Sequence, residues 1–260
     1  MAVLTRPDGC RLFDQVHGPS LGPPLMLLEG MGGDIPGWRR NIPRMAARYR
    51  VVAYDFRGNG RSDKPDEPMT MDTFAQDTVA LLDHLGLVSS HLYGQSFGGM
   101  VGLELALTHS ARVRSLVLAA THAGSRRASR PGPGAHVPKD KPYLALYSPG
   151  FAETHPDHVE EDILVGSQNP QPPYAGRRQW EAMQEWDAWD RLAEVSCPVL
   201  VLHGTEDRLV SVENARRLAA TIPGGRLVLL EGAGHVYHSE QDEASDSAVL
   251  AFLDQVESRA

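Results

Sequence analysis

Six short apolar runs limit how this chain can fold: residues 25–28, 51–54, 91–93, 116–119, 199–202 and 227–230. Each is apolar at consecutive positions rather than at every second one. A strand reads this way when both of its faces are covered, which is the situation inside a parallel sheet. Between the runs the spacing turns helical. Over 73–85, Phe74, Thr78, Leu81, Leu82 and Leu85 share one stripe, with Met71 and Asp72 placed to cap it. Strand and helix in alternation predict right-handed crossovers and a doubly wound, mostly parallel sheet with helices on both faces. A chain of 260 residues, 42% of them hydrophobic, suits one core.

The alternation stops between 124 and 195, where Pro131, Pro133, Pro138, Pro142, Pro149, Pro156, Pro170, Pro172 and Pro173 punctuate a region with no sheet-like run. Helices fit over 157–165 and 177–192, the second carrying Trp180, Trp186 and Trp189. The expected organisation is a core of 1–123 and 196–260, with 124–195 folded over the sheet edge as a helical cap. A long irregular loop is the alternative reading.

The formal charge of −8 argues against a nucleic-acid binder, which needs a basic face for phosphate. Cys10 and Cys197 form no CxxC pair, so neither a disulfide framework nor a cysteine metal site is expected. Arg6, Pro7 and Asp8 stand where a secretory signal needs an apolar run, and no stretch reaches transmembrane length. The expectation is a cytoplasmic protein whose partner is a small molecule, neither nucleic acid nor membrane, with a homodimer compatible.

The chemistry concentrates after the strands. Gly94-Gln95-Ser96-Phe97-Gly98 follows the run at 91–93 and leads into a helical stretch over 100–107. G-x-S-x-G alone is weak evidence in a chain with 25 glycines; its place on a strand-to-helix turn is what raises its weight. A nucleophile on so tight a turn collides with any side chain two positions away, and glycine removes that conflict. The following helix directs its N–H groups and positive end at Ser96.

A serine hydroxyl needs a general base, and a histidine base needs a carboxylate to fix its tautomer. Glu206 and Asp207 both lie just past the run at 199–202, and His235 lies just past the run at 227–230. All sit beyond the carboxyl ends of strands, the edge where open α/β sheets bind ligands. His238 is a second candidate base. His235-x-x-His238 and His155-x-x-His158 have no third ligand at metal-site spacing, so no metal is expected.

These motifs together resemble the α/β-hydrolase family over nearly the whole chain. Gly94–Gly98 resembles its nucleophile elbow, 55–62 (DFRGNGRS) its D-x-R-G-x-G-x-S segment, Gly204-Thr205-Glu206-Asp207 its acid turn and Gly232-Ala233-Gly234-His235 its histidine loop. The resemblance implies the α/β-hydrolase fold with a helical cap after the sixth strand. It implies a Ser96-His235-Asp207 triad, with Asp207 preferred to Glu206, and an oxyanion hole from the backbone N–H groups of Met31 and Phe97. Small capped esterases, enol-lactonases and carbon–carbon bond hydrolases are the most similar members. One departure stands out: where the family usually has His-Gly after the third strand, this chain has Glu29-Gly30.

The expected reaction is hydrolysis of an ester or lactone through an acyl-enzyme, without metal or organic cofactor. A carbon–carbon hydrolase, a cofactor-free lyase using the same Ser and His, and a non-catalytic receptor are the competing readings. Glu29, Trp38, Tyr143, Tyr147, Trp180, Trp186 and Trp189 are candidates to line an apolar pocket.

Overall fold

The computed structural model describes residues 2–132 and 140–259. Eight strands form one sheet: β1 (Ala2–Thr5), β2 (Arg11–His17), β3 (Pro24–Leu28), β4 (Arg50–Tyr54), β5 (Ser90–Gln95), β6 (Val113–Ala119), β7 (Val199–Gly204) and β8 (Arg226–Leu230). Their order is β1-β2-β4-β3-β5-β6-β7-β8. β1 and β2 pair antiparallel, as do β2 and β4, and every later pairing is parallel. The six apolar runs are β3 to β8. β1 and β2 are not among the six: β1 is a four-residue edge strand, AVLT, and β2 reads as a broken alternation, with Asp14 and Gln15 amid apolar neighbours.

The helices are α1 (Ile42–Met45), α2 (Met71–His84), α3 (Phe97–Thr108), α4 (Phe151–Thr154), α5 (Pro156–Gly166), α6 (Pro173–Glu185), α7 (Val212–Thr221), α8 (Tyr237–Glu240) and α9 (Asp242–Glu257). Consecutive apolar residues in the strands now have their reason. Met26 and Leu28 of β3 face one layer, with Phe74, Leu81 and Val101 of α2 and α3. Leu25 and Leu27 face the other, with Val249, Phe252 and Leu253 of α9. α2 begins two residues earlier than its apolar stripe suggests, because Thr70 and Thr73 form a reciprocal capping box. Among the described residues no helix is long and apolar enough to cross a membrane.

Between β6 and β7 lie α4, α5 and α6; residues 133–139, with Pro133 and Pro138, fall outside the described residues. The single helix expected over 177–192 is instead α6 followed by a separate 3-10 turn, Trp189–Glu194. The break at Trp186–Ala188 has a tertiary cause. Trp186 Nε1–H donates to Glu104 at 2.9 Å, Asp187 bridges Gly124, and Ala188 N–H donates to Ala123 O at 2.7 Å. Gly124, at φ +138°, lets the two segments meet, since a Cβ there would lie 2.8 Å from the Asp187 side chain.

Candidate active site

Chain order and strand order together choose the site. From β3 the chain crosses to β4 on one side, and β5 then forms on the other side of β3. The loops after β3 and β5 therefore part in opposite directions and leave a crevice at their carboxyl ends. Residues 29–33 and Ser96 occupy it.

β5 ends at Gln95 and α3 begins at Phe97, so Ser96 alone makes the turn, at φ 51° and ψ −113°. A non-glycine residue there is strained. Hydrogen bonds hold it: Ser96 N–H to Ala119 O at 2.7 Å, and Thr121 Oγ1–H to Ser96 O at 2.6 Å. The flanking glycines are steric necessities. A Cβ on Gly94 would lie 2.3 Å from Gly98 O, and one on Gly98 would lie 2.1 Å from Leu28 O. The same closeness brings the loop after β3 against the serine, where a Cβ on Gly30 would be 3.6 Å from Ser96 Cβ.

Past β7 and β8 the acid and the histidine meet. His235 Nδ1 lies 2.8 Å from Asp207 Oδ2, and both side chains are buried. Asp207 Oδ1 accepts from Leu209 N–H and Val210 N–H at 2.8 and 2.9 Å. A second imidazole approaches: His203 Nε2 is 3.2 Å from Asp207 Oδ2 and 2.9 Å from Val210 O. A carbonyl only accepts, so His203 Nε2 carries the hydrogen. Burial pushes the Asp207 carboxyl up, but the facing His235 and His203 outweigh it and hold it well below the usual range. An ionised Asp207 takes the Nδ1–H of His235 and leaves Nε2 toward the cavity. Glu206 is exposed and takes no part.

Ser96 and His235 line one cavity of about 430 Å³, with no hydrogen bond between their side chains among the described residues. Such contacts are often long before substrate binds. The N–H groups of Met31 and Phe97 have no acceptor among the described residues. His238 also lines the cavity; burial pushes it down to about 4, so it is neutral at pH 7 and packs on Trp38.

Of the aromatic candidates only Tyr147 reaches this cavity, and Glu29 reaches it too. Trp38 is fully buried behind the wall against Tyr93 and His238. Tyr143 and Trp180 lie at the surface. Trp186 is held by Glu104, and Trp189 stacks under Arg217 at 3.9 Å. The expected aromatic lining is thus corrected: Trp186 and Trp189, which follow α6, pack toward α3 and α7, Trp180 stays at the surface, and Met31, Leu146, Val165, Leu209 and Val236 supply the apolar wall. Gln95, Arg39, Asp162 and Ser239 also line it and carried no local signal. Of these only Gln95 had a positional clue, as the residue before Ser96.

The comparisons with known proteins agree with this fold. The sequence matches the family described as alpha/beta hydrolase fold over residues 23–162, and one described as TAP-like protein over 172–259. It is 30% identical to "Putative carbamate hydrolase RutD" of Azorhizobium caulinodans over 95% of this chain and 96% of that one. It is 31% identical to 3-oxoadipate enol-lactonase 2 of Acinetobacter baylyi over 89% and 88%. A solved thermophilic esterase from Thermogutta terrifontis superposes with a TM-score of 0.83 at 27% identity, covering 98% of each chain. The sheet order, the crevice and these matches have one reading: the chain belongs to the α/β-hydrolase family and is a hydrolase.

Proposed function

We propose that this protein is a serine hydrolase that cleaves a carboxylic ester or lactone of a small to medium, partly apolar substrate through an acyl-enzyme. The observation that carries this reading is the 2.8 Å contact of His235 Nδ1 with the buried Asp207, on a cavity shared with the strained Ser96. The likeness to proteins named for lactone, ester and carbamate substrates supports carbonyl chemistry.

In this mechanism Ser96 Oγ attacks the carbonyl carbon while its proton passes to His235 Nε2. The oxyanion is received by the N–H groups of Met31 and Phe97, each donor contributing about 2.7–4 kcal/mol to the transition state. Collapse expels the leaving group, which takes the proton from His235. A water deprotonated by the same imidazole then releases the acid and restores Ser96. The sheet core, 1–123 and 196–260, carries the reacting groups. The segment 124–195 acts as a cap, supplying Leu146, Tyr147, Asp162 and Val165 to the wall.

The test is hydrolysis of a panel of esters, lactones, thioesters and carbamates by the wild type and by Ser96→Ala. The expected result is turnover by the wild type, a loss of about 10³-fold or more in the variant, and an acyl adduct on Ser96 by mass spectrometry. Equal rates in both proteins would reject Ser96 as nucleophile.

A further inference from the structure

Glu29 stands where the family usually has histidine, and the proposed mechanism leaves it unused. The residue is 8% exposed and forms part of the cavity wall beside Gly30. One oxygen, Oε1, accepts Gly30 N–H at 2.9 Å. The other, Oε2, is buried with no hydrogen-bond partner. A carboxylate offers about four acceptor positions, and a buried oxygen without any partner needs an explanation. The surrounding loop is shaped to hold this group. A Cβ on Gly33 would lie 2.3 Å from Glu29 Cγ, and one on Gly37 would lie 2.9 Å from Oε2. Both glycines also form the wall.

The other charges on the wall point the same way. Asp34 and Asp162 line it, with Arg39 as the guanidinium among the described lining residues. Arg39 is engaged, its Nε with Glu161 at 3.3 Å and its Nη2 with Asp162. Asp162 in turn accepts from Tyr147 Oη–H at 3.0 Å and Ser239 Oγ–H at 2.6 Å, and Asp34 accepts from Asn169 at 3.2 Å. An anionic substrate group would meet carboxyls and one already paired cation.

We propose that Glu29 sets the substrate class of this cavity: a neutral or cationic carbonyl compound that presents an ammonium, N–H or O–H group to the Glu29 carboxyl, in preference to one bearing a carboxylate. This rests on the ester or lactone hydrolase reading. Burial pushes the carboxyl up to about 7; Asp34 and Asp55 add to this, while the Gly30 N–H and His235 oppose it. Asp55 is itself bonded by Ile35 N–H and Arg61 N–H and faced by the charges of Arg61 and Lys64. Near neutrality Glu29 can therefore meet a neutral donor or, once ionised, a cation.

The test uses 4-nitrophenyl esters whose acyl chains have matched length and end in methyl, ammonium or carboxylate. Near pH 8 kcat/KM is expected to fall from ammonium to methyl to carboxylate, with at least about 10-fold between the extremes. In Glu29→Gln the ammonium-to-carboxylate ratio shrinks by about 10-fold. In the wild type the same ratio shrinks as pH falls through about 7 and Glu29 takes up its proton, a readout that does not depend on the variant folding. A preference for the carboxylate ester, or a ratio indifferent to both changes, overturns the proposal. If no ester is turned over, the hydrolysis reading fails on its own. Calorimetric titration of the wild type with butylammonium and with butanoate then still decides the charge preference: tighter ammonium binding supports it, and equal or tighter butanoate binding overturns it.

Discussion

Asp207 receives three hydrogen bonds, two from backbone N–H groups on Oδ1 and one from His235 Nδ1–H on Oδ2, and His203 Nε2 stands 3.2 Å from Oδ2. A carboxylate held in this way cannot rotate, so the plane of His235 is fixed from behind. Hydrogen bonds to a charged group contribute about 1.5–3 kcal/mol each. His203→Leu is expected to lower kcat by about 10- to 100-fold with KM little changed, and His203→Gln, which restores an N–H near the Nε2 position, to recover most of it. Steady-state kinetics on the ester panel checks both. Asp207→Asn is expected to cost about 10³- to 10⁴-fold in kcat, because the amide no longer enforces the tautomer. Glu29 makes a prediction of another kind. Below its ordinary 4.5 the carboxyl is protonated in both folded and unfolded chains. Between 4.5 and about 7 the unfolded chain releases a proton that the folded one keeps, so stability falls as pH rises through that window. At about 1.4 kcal/mol per pH unit, the penalty approaches roughly 3 kcal/mol above pH 7. Glu29→Gln is expected to be about 2–3 kcal/mol more stable than the wild type near pH 8 and nearly equal near pH 4, by urea unfolding.

The elbow shows at the scale of elements what a short motif fixes. Gly94 and Gly98 were required in the sequence by the turn alone, and the structure adds that Gly98 is where α3 touches the end of β3. Gly98→Ala forces a methyl onto Leu28 O and is expected to cost about 3 kcal/mol or more. That lowers Tm by about 6–12 °C for a chain of this size, measurable by calorimetry. β3 to β8 were legible because strands buried on both faces need unbroken apolar runs. β2 was not, since a strand toward the sheet edge tolerates Asp14, Gln15 and His17. The long helix expected over 177–192 failed for a related reason: periodicity continues through Trp186 and Trp189, but the bridge from Gly124 to Asp187 and the bond from Trp186 to Glu104 break it. Contacts 63 and 82 residues apart in the chain decided that helix end.

Over the whole molecule, the segment between β6 and β7 is tied to the loops that carry Asp207 and His235. Val236 N–H donates to Leu146 O at 3.0 Å, Arg208 reaches Tyr147 O at 2.8 Å, and Ser148 donates to Glu240. Asp162 of α5 joins the same network through Arg39, Tyr147 and Ser239. Asp162→Ala leaves Arg39 without its buried partner and is expected to destabilise the protein by about 2–4 kcal/mol, somewhat under the cost of breaking a fully buried pair, with KM rising more than kcat falls. Unfolding curves and kinetics of the variant separate the two effects.

Buried runs, turn glycines and the positions of Ser96, Asp207 and His235 just beyond three strands were written in the sequence, because backbone sterics and burial constrain residues locally. It also displayed Glu29 as a departure without its environment. What only the tertiary structure decided is which groups share a cavity. Trp38 and the tryptophans after α5 turned away from it, while Arg39 and Asp162 met in its wall from positions 123 residues apart. The burial that shifts Glu29 toward 7 arises from Gly33, Gly37 and the loop around them. Desolvation and long-range pairing depend on the folded neighbourhood, and no local pattern encodes them.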